Sequence, residues 1–178
     1  MMLSIKIKPK SIAKNQRSLF LKRGNQVEAS LGFSYNNGMI VTIENRQRKM
    51  KLEKTRLAEM ARFFSECAKV DLSEVTLIIV DDKGSAPINA AAVGHVGPTD
   101  VITIPYPAIP GDEDGPSAEI IINAECALKQ RPEDPWRELL FYLAHAFNHL
   151  SGHDDDTPKK RSAMHRRERR WLARALSC

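Results

Sequence analysis

The sequence predicts an α+β domain in which a small four-stranded sheet packs with about five helices around one central helix. Three observations predict it. Four short aliphatic, β-branched runs are separated by segments with helical apolar spacing. Segment 132–151 carries apolar residues on both sides, as a buried central helix must. The 178 residues, 42% hydrophobic and 28% charged, suit one soluble domain with a substantial core.

Residues 1–38 read as a basic, poorly ordered extension, rich in Lys, Asn, Ser and Gly and ending in the turn-like Asn36-Asn37-Gly38. The single folded domain is expected over 39–178. Residues 39–44 read as its first strand, followed by polar Asn45-Arg46-Gln47-Arg48. Segment 52–69 places Leu57, Met60, Ala61, Phe64 and Ala68 at helical spacing. Residues 75–80 form the β-branched run of a buried strand. Asp81-Asp82-Lys83-Gly84 reads as a turn and 88–93 as a short helix. Residues 101–104 and 119–122 are two further strands, with an acidic, Pro/Gly-rich loop at 107–117 between them.

The most informative element is 132–151. Glu133 or Asp134 can cap it, and Pro135 suits its first turn. Trp136, Leu139, Leu140, Leu143, Phe147 and Leu150 share one face, while Phe141 and Tyr142 add apolar surface on the other. The polar stripe that remains holds Glu138, His145 and His149, and Gly152 ends the helix. A last helix over 158–176 is strongly basic, with Met164, Trp171, Leu172 and Leu176 to dock it.

The net charge of +5 hides a block pattern. Residues 1–70 carry 15 Lys/Arg against 5 Asp/Glu, 71–156 carry 4 against 16, and 157–178 carry 8 against 1. A basic frame around an acidic centre suits a polyanionic partner held near a metal-binding core. No apolar run approaches the roughly 20 residues that span a bilayer, so no membrane partner is expected. The N-terminus lacks the h-region of a secretory signal, and a cytoplasmic location is the expectation. Cys67, Cys126 and Cys178 are odd in number and far apart, as in a reducing compartment.

His145 and His149 lie four residues apart, so a helix projects both imidazoles from one face to share an ion. Gly152 then turns the chain back, and Asp155 can supply a third ligand, giving His-x-x-x-His-x-x-Gly-x-x-Asp. A lone HxxxH pair is more often core packing; the correctly placed Gly152 and Asp155 reverse that judgement. His153 is the second choice for the third ligand and Asp156 the third. Three protein ligands leave a tetrahedral zinc ion one open position, the mark of a catalytic site.

These residues resemble the YbeY family of bacterial endoribonucleases, whose signature runs H-G-x-L-H-L-x-G-Y-D-H. Residues 145–155 read His-Ala-Phe-Asn-His-Leu-Ser-Gly-His-Asp-Asp, so both histidines, the Leu, the Gly and the penultimate Asp coincide. The resemblance extends in order over about 39–175. Asn45-Arg46-Gln47 looks like the family's opening, and the strand leading to Asp82 like its strand ending in acidic residues. Asn89 followed by Pro98-Thr99-Asp100-Val101 is similar to its N-x8-P-T-D-V segment, 119–122 to its next strand, and Met164, Glu168 and Leu172 to its closing helix. The resemblance, rather than the periodicity, implies that the sheet is mixed, in a zinc-metalloprotease-like architecture.

Two departures stand out. Asp155 occupies the place of the signature's last histidine; a carboxylate is an accepted zinc ligand but makes the site more negative. Val93 stands where the family carries an arginine four residues after the Asn, and a valine cannot neutralise charge developing on a phosphodiester. His95, two residues on, is a possible partial substitute.

The resemblance implies a zinc-dependent endoribonuclease cutting single-stranded RNA, with ribosomal RNA as substrate and a role in small-subunit maturation. Arg46, Arg48, Lys49, Lys51, Lys159, Lys160, Arg166 and Arg167 are candidates to hold the RNA backbone. The Val93 departure keeps open a non-catalytic, zinc-containing RNA-binding assembly factor. A zinc metalloprotease of the HExxHxxGxxH/D type is the remaining alternative, but it needs a Glu where this chain has Ala146.

Overall fold

The computed structural model describes residues 5–6, 38–108 and 115–177. The aliphatic runs form one mixed sheet from β1 (Ile5–Lys6), β2 (Ile40–Asn45), β3 (Glu74–Val80), β4 (Val101–Tyr106) and β5 (Ser117–Asn123). Their order is β1-β4-β5-β3-β2, with β4 antiparallel to β5 and the other pairs parallel. The expected four-stranded sheet is thus β2 to β5, and the two-residue β1 extends it at the β4 edge. The rest of the expected 1–38 extension lies outside the described residues, as do 109–114 of the expected acidic loop and Cys178.

Period-two alternation explains why the strands read as continuous apolar runs. Val75, Leu77, Ile79, Ile120 and Ile122 face one core; Ile78, Val80, Ile102, Ile104 and Ile121 face a second on the opposite side of the sheet. A sheet covered on both faces cannot show the polar alternation of a half-exposed one. The larger core is completed by α1 (Lys54–Ala68), α4 (Pro135–Leu150) and α5 (Pro158–Ala175). The fully buried Leu57, Phe64, Leu139, Leu140, Leu143 and Phe147 each contribute about 1.5–3 kcal/mol of transfer free energy.

Two local expectations are corrected. The Asp81-Asp82-Lys83-Gly84 segment opens α2 (Asp82–Val93), which therefore starts six residues before the expected short helix. The Asp81 side chain accepts from the Gly84 N–H at 2.9 Å, so a run rich in turn residues is here a helix cap. Helix α3 (Ala124–Gln130) was not expected, because seven residues carry too little apolar periodicity. Asn123 starts it by accepting from the N–H groups of Glu125 and Cys126, both at 3.1 Å. Its amide also donates to Asp82 Oδ1 at 2.8 Å and to the Thr99 carbonyl at 3.0 Å, tying α2, α3 and β4 together.

Helix α4 is central, packing against α1, α3, α5, β4 and β5. Asp134 caps it by accepting from the Arg137 N–H at 3.1 Å, and Pro135 occupies its first turn. The polar stripe that the sequence left on this helix is therefore carried into the interior. Among the described residues no helix is long and apolar enough to cross a membrane.

Candidate metal centre

The i, i+4 spacing on α4 brings the His145 and His149 rings to 4.6 Å between centroids, with their Nε2 atoms 3.1 Å apart. Both side chains are fully buried. The helix then ends in a Schellman motif: the Gly152 N–H donates to the His149 carbonyl at 2.9 Å and the His153 N–H to the Asn148 carbonyl at 3.3 Å. Gly152 has φ +91°, a conformation that side-chain-bearing residues disfavour. This reversal carries Asp155 back over the helix end. Its Oδ2 lies 4.0 Å from His145 Nε2 and its Oδ1 3.9 Å from His149 Nε2.

Each imidazole has its other nitrogen committed. His145 Nδ1 lies 2.8 Å from Glu168 Oε1, and His149 Nδ1 lies 3.1 Å from the His153 carbonyl. Both acceptors lack a proton to give, so each Nδ1 carries the hydrogen and each Nε2 presents a lone pair. Two lone pairs facing each other at 3.1 Å beside a carboxylate repel unless a cation joins them. Burial, with His145 beside it, holds the His149 pKa below its usual range and keeps that ring neutral.

Tetrahedral zinc with Zn–N of about 2.0–2.1 Å sets its ligand atoms roughly 3.3 Å apart. The separations of 3.1, 3.9 and 4.0 Å bracket that value, so the trio fits such an ion with a small inward movement of Asp155. The two alternatives for a third ligand point elsewhere. Asp156 is exposed and pairs with Lys160 at 2.9 Å, while His153 is exposed with Nδ1 2.8 Å from Ser151 Oγ. A second group, His145, His165 and Glu168, also brings ligand atoms within 4.8 Å. In it His145 Nδ1 and Glu168 Oε1 are already engaged with each other at 2.8 Å, so the Asp155 trio is the better candidate set.

Three supporting residues escaped the sequence reading. Asn148 on α4 donates to Glu168 Oε1 at 2.7 Å, and Arg161 on α5 donates to the Asp155 carbonyl at 3.2 Å. Glu168 itself, noted only as part of a motif, is fully buried. A signal for it existed, since it is the one acid among eight bases in 157–178 and shares the apolar stripe of Met164, Trp171, Leu172 and Ala175.

Among the expected RNA-holding residues, Arg48, Lys49, Lys51, Lys159 and Arg166 are exposed. Arg46 pairs with Glu44 at 3.0 Å, Lys160 pairs with Asp156, and Arg167 donates to Asn148 Oδ1 at 2.7 Å. Buried Gln47 shapes the loop bearing Arg48 to Lys51, accepting from the N–H groups of Lys49 and Met50. Val93 ends α2 and its side chain lies outside the described residues; His95 is exposed. Ala146 is fully buried beside His145, so the general base that a zinc protease carries there has no counterpart.

A mixed sheet crossed by a helix bearing His-x-x-x-His, closed by a glycine turn that returns a carboxylate, defines a class of proteins with a helix-borne two-histidine candidate metal site. Comparison narrows the class: a family model described as Endoribonuclease YbeY matches residues 42–175, and the chain belongs to the YbeY family. Among similar proteins, one from Rhodopirellula baltica named Endoribonuclease YbeY is 35% identical over 124 residues, covering 67% of this chain and 62% of its own. Another of that name from Elusimicrobium minutum is 39% identical over 95 residues, covering 51% and 66%. One from Chlamydia felis is 27% identical over 140 residues, covering 74% and 88%. The chain thus spans less than two thirds of the first two relatives. The solution structure of a Thermotoga maritima protein superposes with a TM-score of 0.51 at 22% identity, covering 77% of this chain and 89% of that one, which shows the shared fold.

Proposed function

We propose that this chain is a zinc-dependent endoribonuclease that cleaves single-stranded RNA in the cytoplasm, in ribosomal RNA processing and small-subunit maturation. The observation that carries the reading is the convergence of His145 Nε2, His149 Nε2 and the Asp155 carboxylate in a chain of the YbeY family. Two imidazoles and a carboxylate would form a zinc donor set with one tetrahedral position left open. A zinc ion held there would supply Lewis acidity, to activate water near neutral pH and polarise a phosphoryl oxygen.

The chain's own residues supply the rest. His145 and His149 are held in the required tautomer by Glu168 and the His153 carbonyl. Arg161, half-exposed beside Asp155, offers a guanidinium to a phosphate at the edge of the site. The exposed lysines and arginines of 48–51 and of α5 hold the backbone of a longer RNA, a contact that weakens with salt.

Elemental analysis and RNA cleavage of wild type, His145→Ala and Asp155→Ala test the reading together. Near-stoichiometric zinc is expected in wild type. Zinc affinity should fall more than about 100-fold in either variant, beyond the 10–100-fold that loss of an outer partner costs. Cleavage should vanish in His145→Ala. A folded His145→Ala protein that cuts RNA at the wild-type rate overturns it.

Val93 favours a second reading, a non-catalytic zinc-containing RNA-binding factor in ribosome assembly. That reading predicts RNA binding without turnover in the zinc-loaded protein, and cleavage that first arises in Val93→Arg.

A further inference from the structure

Four side chains from two helices form an unbroken hydrogen-bonded chain that ends on the metal trio. Arg167 Nη1 donates to Asn148 Oδ1 at 2.7 Å, Asn148 Nδ2 donates to Glu168 Oε1 at 2.7 Å, and Glu168 Oε1 lies 2.8 Å from His145 Nδ1. Asn148, Glu168 and His145 are all fully buried, and Arg167 reaches them from the half-exposed side of α5. No link of this chain can be reversed. An arginine has donors only, so the Asn148 amide must turn its oxygen outward and its NH2 inward. Glu168 Oε1 accepts from the Asn148 NH2 and faces His145 Nδ1 with the same oxygen, so it receives from both.

We propose that Arg167, Asn148 and Glu168 are positioning residues that hold His145 as its Nδ1–H tautomer, with the Nε2 lone pair aimed at the metal position. The proposal rests on the reading of His145 as a ligand and assigns a cause to its orientation. A buried imidazole without such a partner divides between two tautomers, and only one can bind an ion at Nε2. Asn148 also restrains Glu168, whose Oε2 is buried with no hydrogen-bond partner among the described residues, so that Oε1 is the oxygen by which the carboxylate is held. The family signature carries a leucine where this chain has Asn148, so the link from Arg167 belongs to this sequence rather than to the signature.

The test reads the tautomer directly in the metal-free protein, from the 15N shifts of the two His145 ring nitrogens. Zinc affinity is measured beside it by competition with a chromophoric chelator. Wild type should show a protonated His145 Nδ1, with Nε2 either unprotonated or sharing one proton with His149 Nε2. Glu168→Gln keeps an acceptor oxygen facing His145 and should retain that pattern. Glu168→Leu should lose it, with zinc affinity falling 10–100-fold. Asn148→Leu and Arg167→Met should shift His145 toward a mixture of tautomers and weaken zinc by a smaller factor. These two substitutions guard against a folding defect at Glu168, since Arg167 is half-exposed.

A Glu168→Leu protein that keeps the Nδ1–H pattern and wild-type zinc affinity overturns the proposal, as does wild-type behaviour in both Asn148→Leu and Arg167→Met. If wild type itself binds no zinc, the metal reading fails, while the 15N shifts still decide whether the chain sets the tautomer.

Discussion

Arg161 donates from Nη2 to the carbonyl oxygen of Asp155 at 3.2 Å, and its Nε stands 4.0 Å from the Oδ2 of the same residue. One side chain thus holds the turn that returns Asp155 to the histidines and sets a positive charge beside its carboxylate. The Arg161 side chain is 42% exposed, so solvent screens this pair and its share of folding stability is at most about 1 kcal/mol. The charge remains available to an anion approaching the trio.

Arg161→Gln should therefore weaken RNA binding, with thermal stability near wild type and at most a small loss of zinc affinity. The slope of log K against log[salt] should fall by about one unit, the loss of one phosphate contact. Binding isotherms over a series of KCl concentrations measure it. An unchanged slope would show that Arg161 serves only to hold Asp155.

Gly152→Ala isolates the cost of the backbone reversal. A Cβ at Gly152 meets nothing within 4 Å among the described residues, so the penalty comes from its φ of +91° rather than from a clash. Urea denaturation should show a loss of about 1–2 kcal/mol. Gly152→Asn should cost less, because asparagine enters the left-handed region more readily. Equal stability of the alanine variant and wild type would mean that the turn relaxes without strain.

Asp100 supplies a pH signature. Burial holds its carboxyl pKa above the usual range, opposed by hydrogen bonds from the Val101 N–H and Thr99 Oγ1. A raised carboxyl pKa means that folding disfavours the ionised form. Its contribution to stability is fully present below the unfolded-state value near 3.8 and is lost as pH rises through the folded value. Asp100→Asn keeps an acceptor for both donors and removes the charge. The metal-free variant should melt higher than wild type at pH 7, with the gap closing toward about pH 4. A variant that melts lower at pH 7 would mean that the ionised carboxylate is stabilised there after all.

How much of this was legible in the residues depends on the reach of each interaction. The strands at 75–80 and 119–122 could be read because burial on both faces leaves a run of aliphatic residues that a linear scan detects. Helix α3 and the true start of α2 could not. The first is only seven residues long, and the second opens on Asp81 and Gly84, types that serve a turn and a helix cap equally well.

By itself the sequence determined the two-histidine face and its glycine exit, because i, i+4 spacing and a left-handed helix ending are local properties of the backbone. It also placed Asp155 ahead of His153 and Asp156 as the candidate third ligand. Only the tertiary structure supplies their placement, since the path after Gly152 points Asp155 inward and leaves His153 and Asp156 on the surface. The same holds for the groups behind the histidines. Glu168 meets His145 across 23 residues and Arg167 meets Asn148 across 19, distances in sequence that only the packing of α5 on α4 can close.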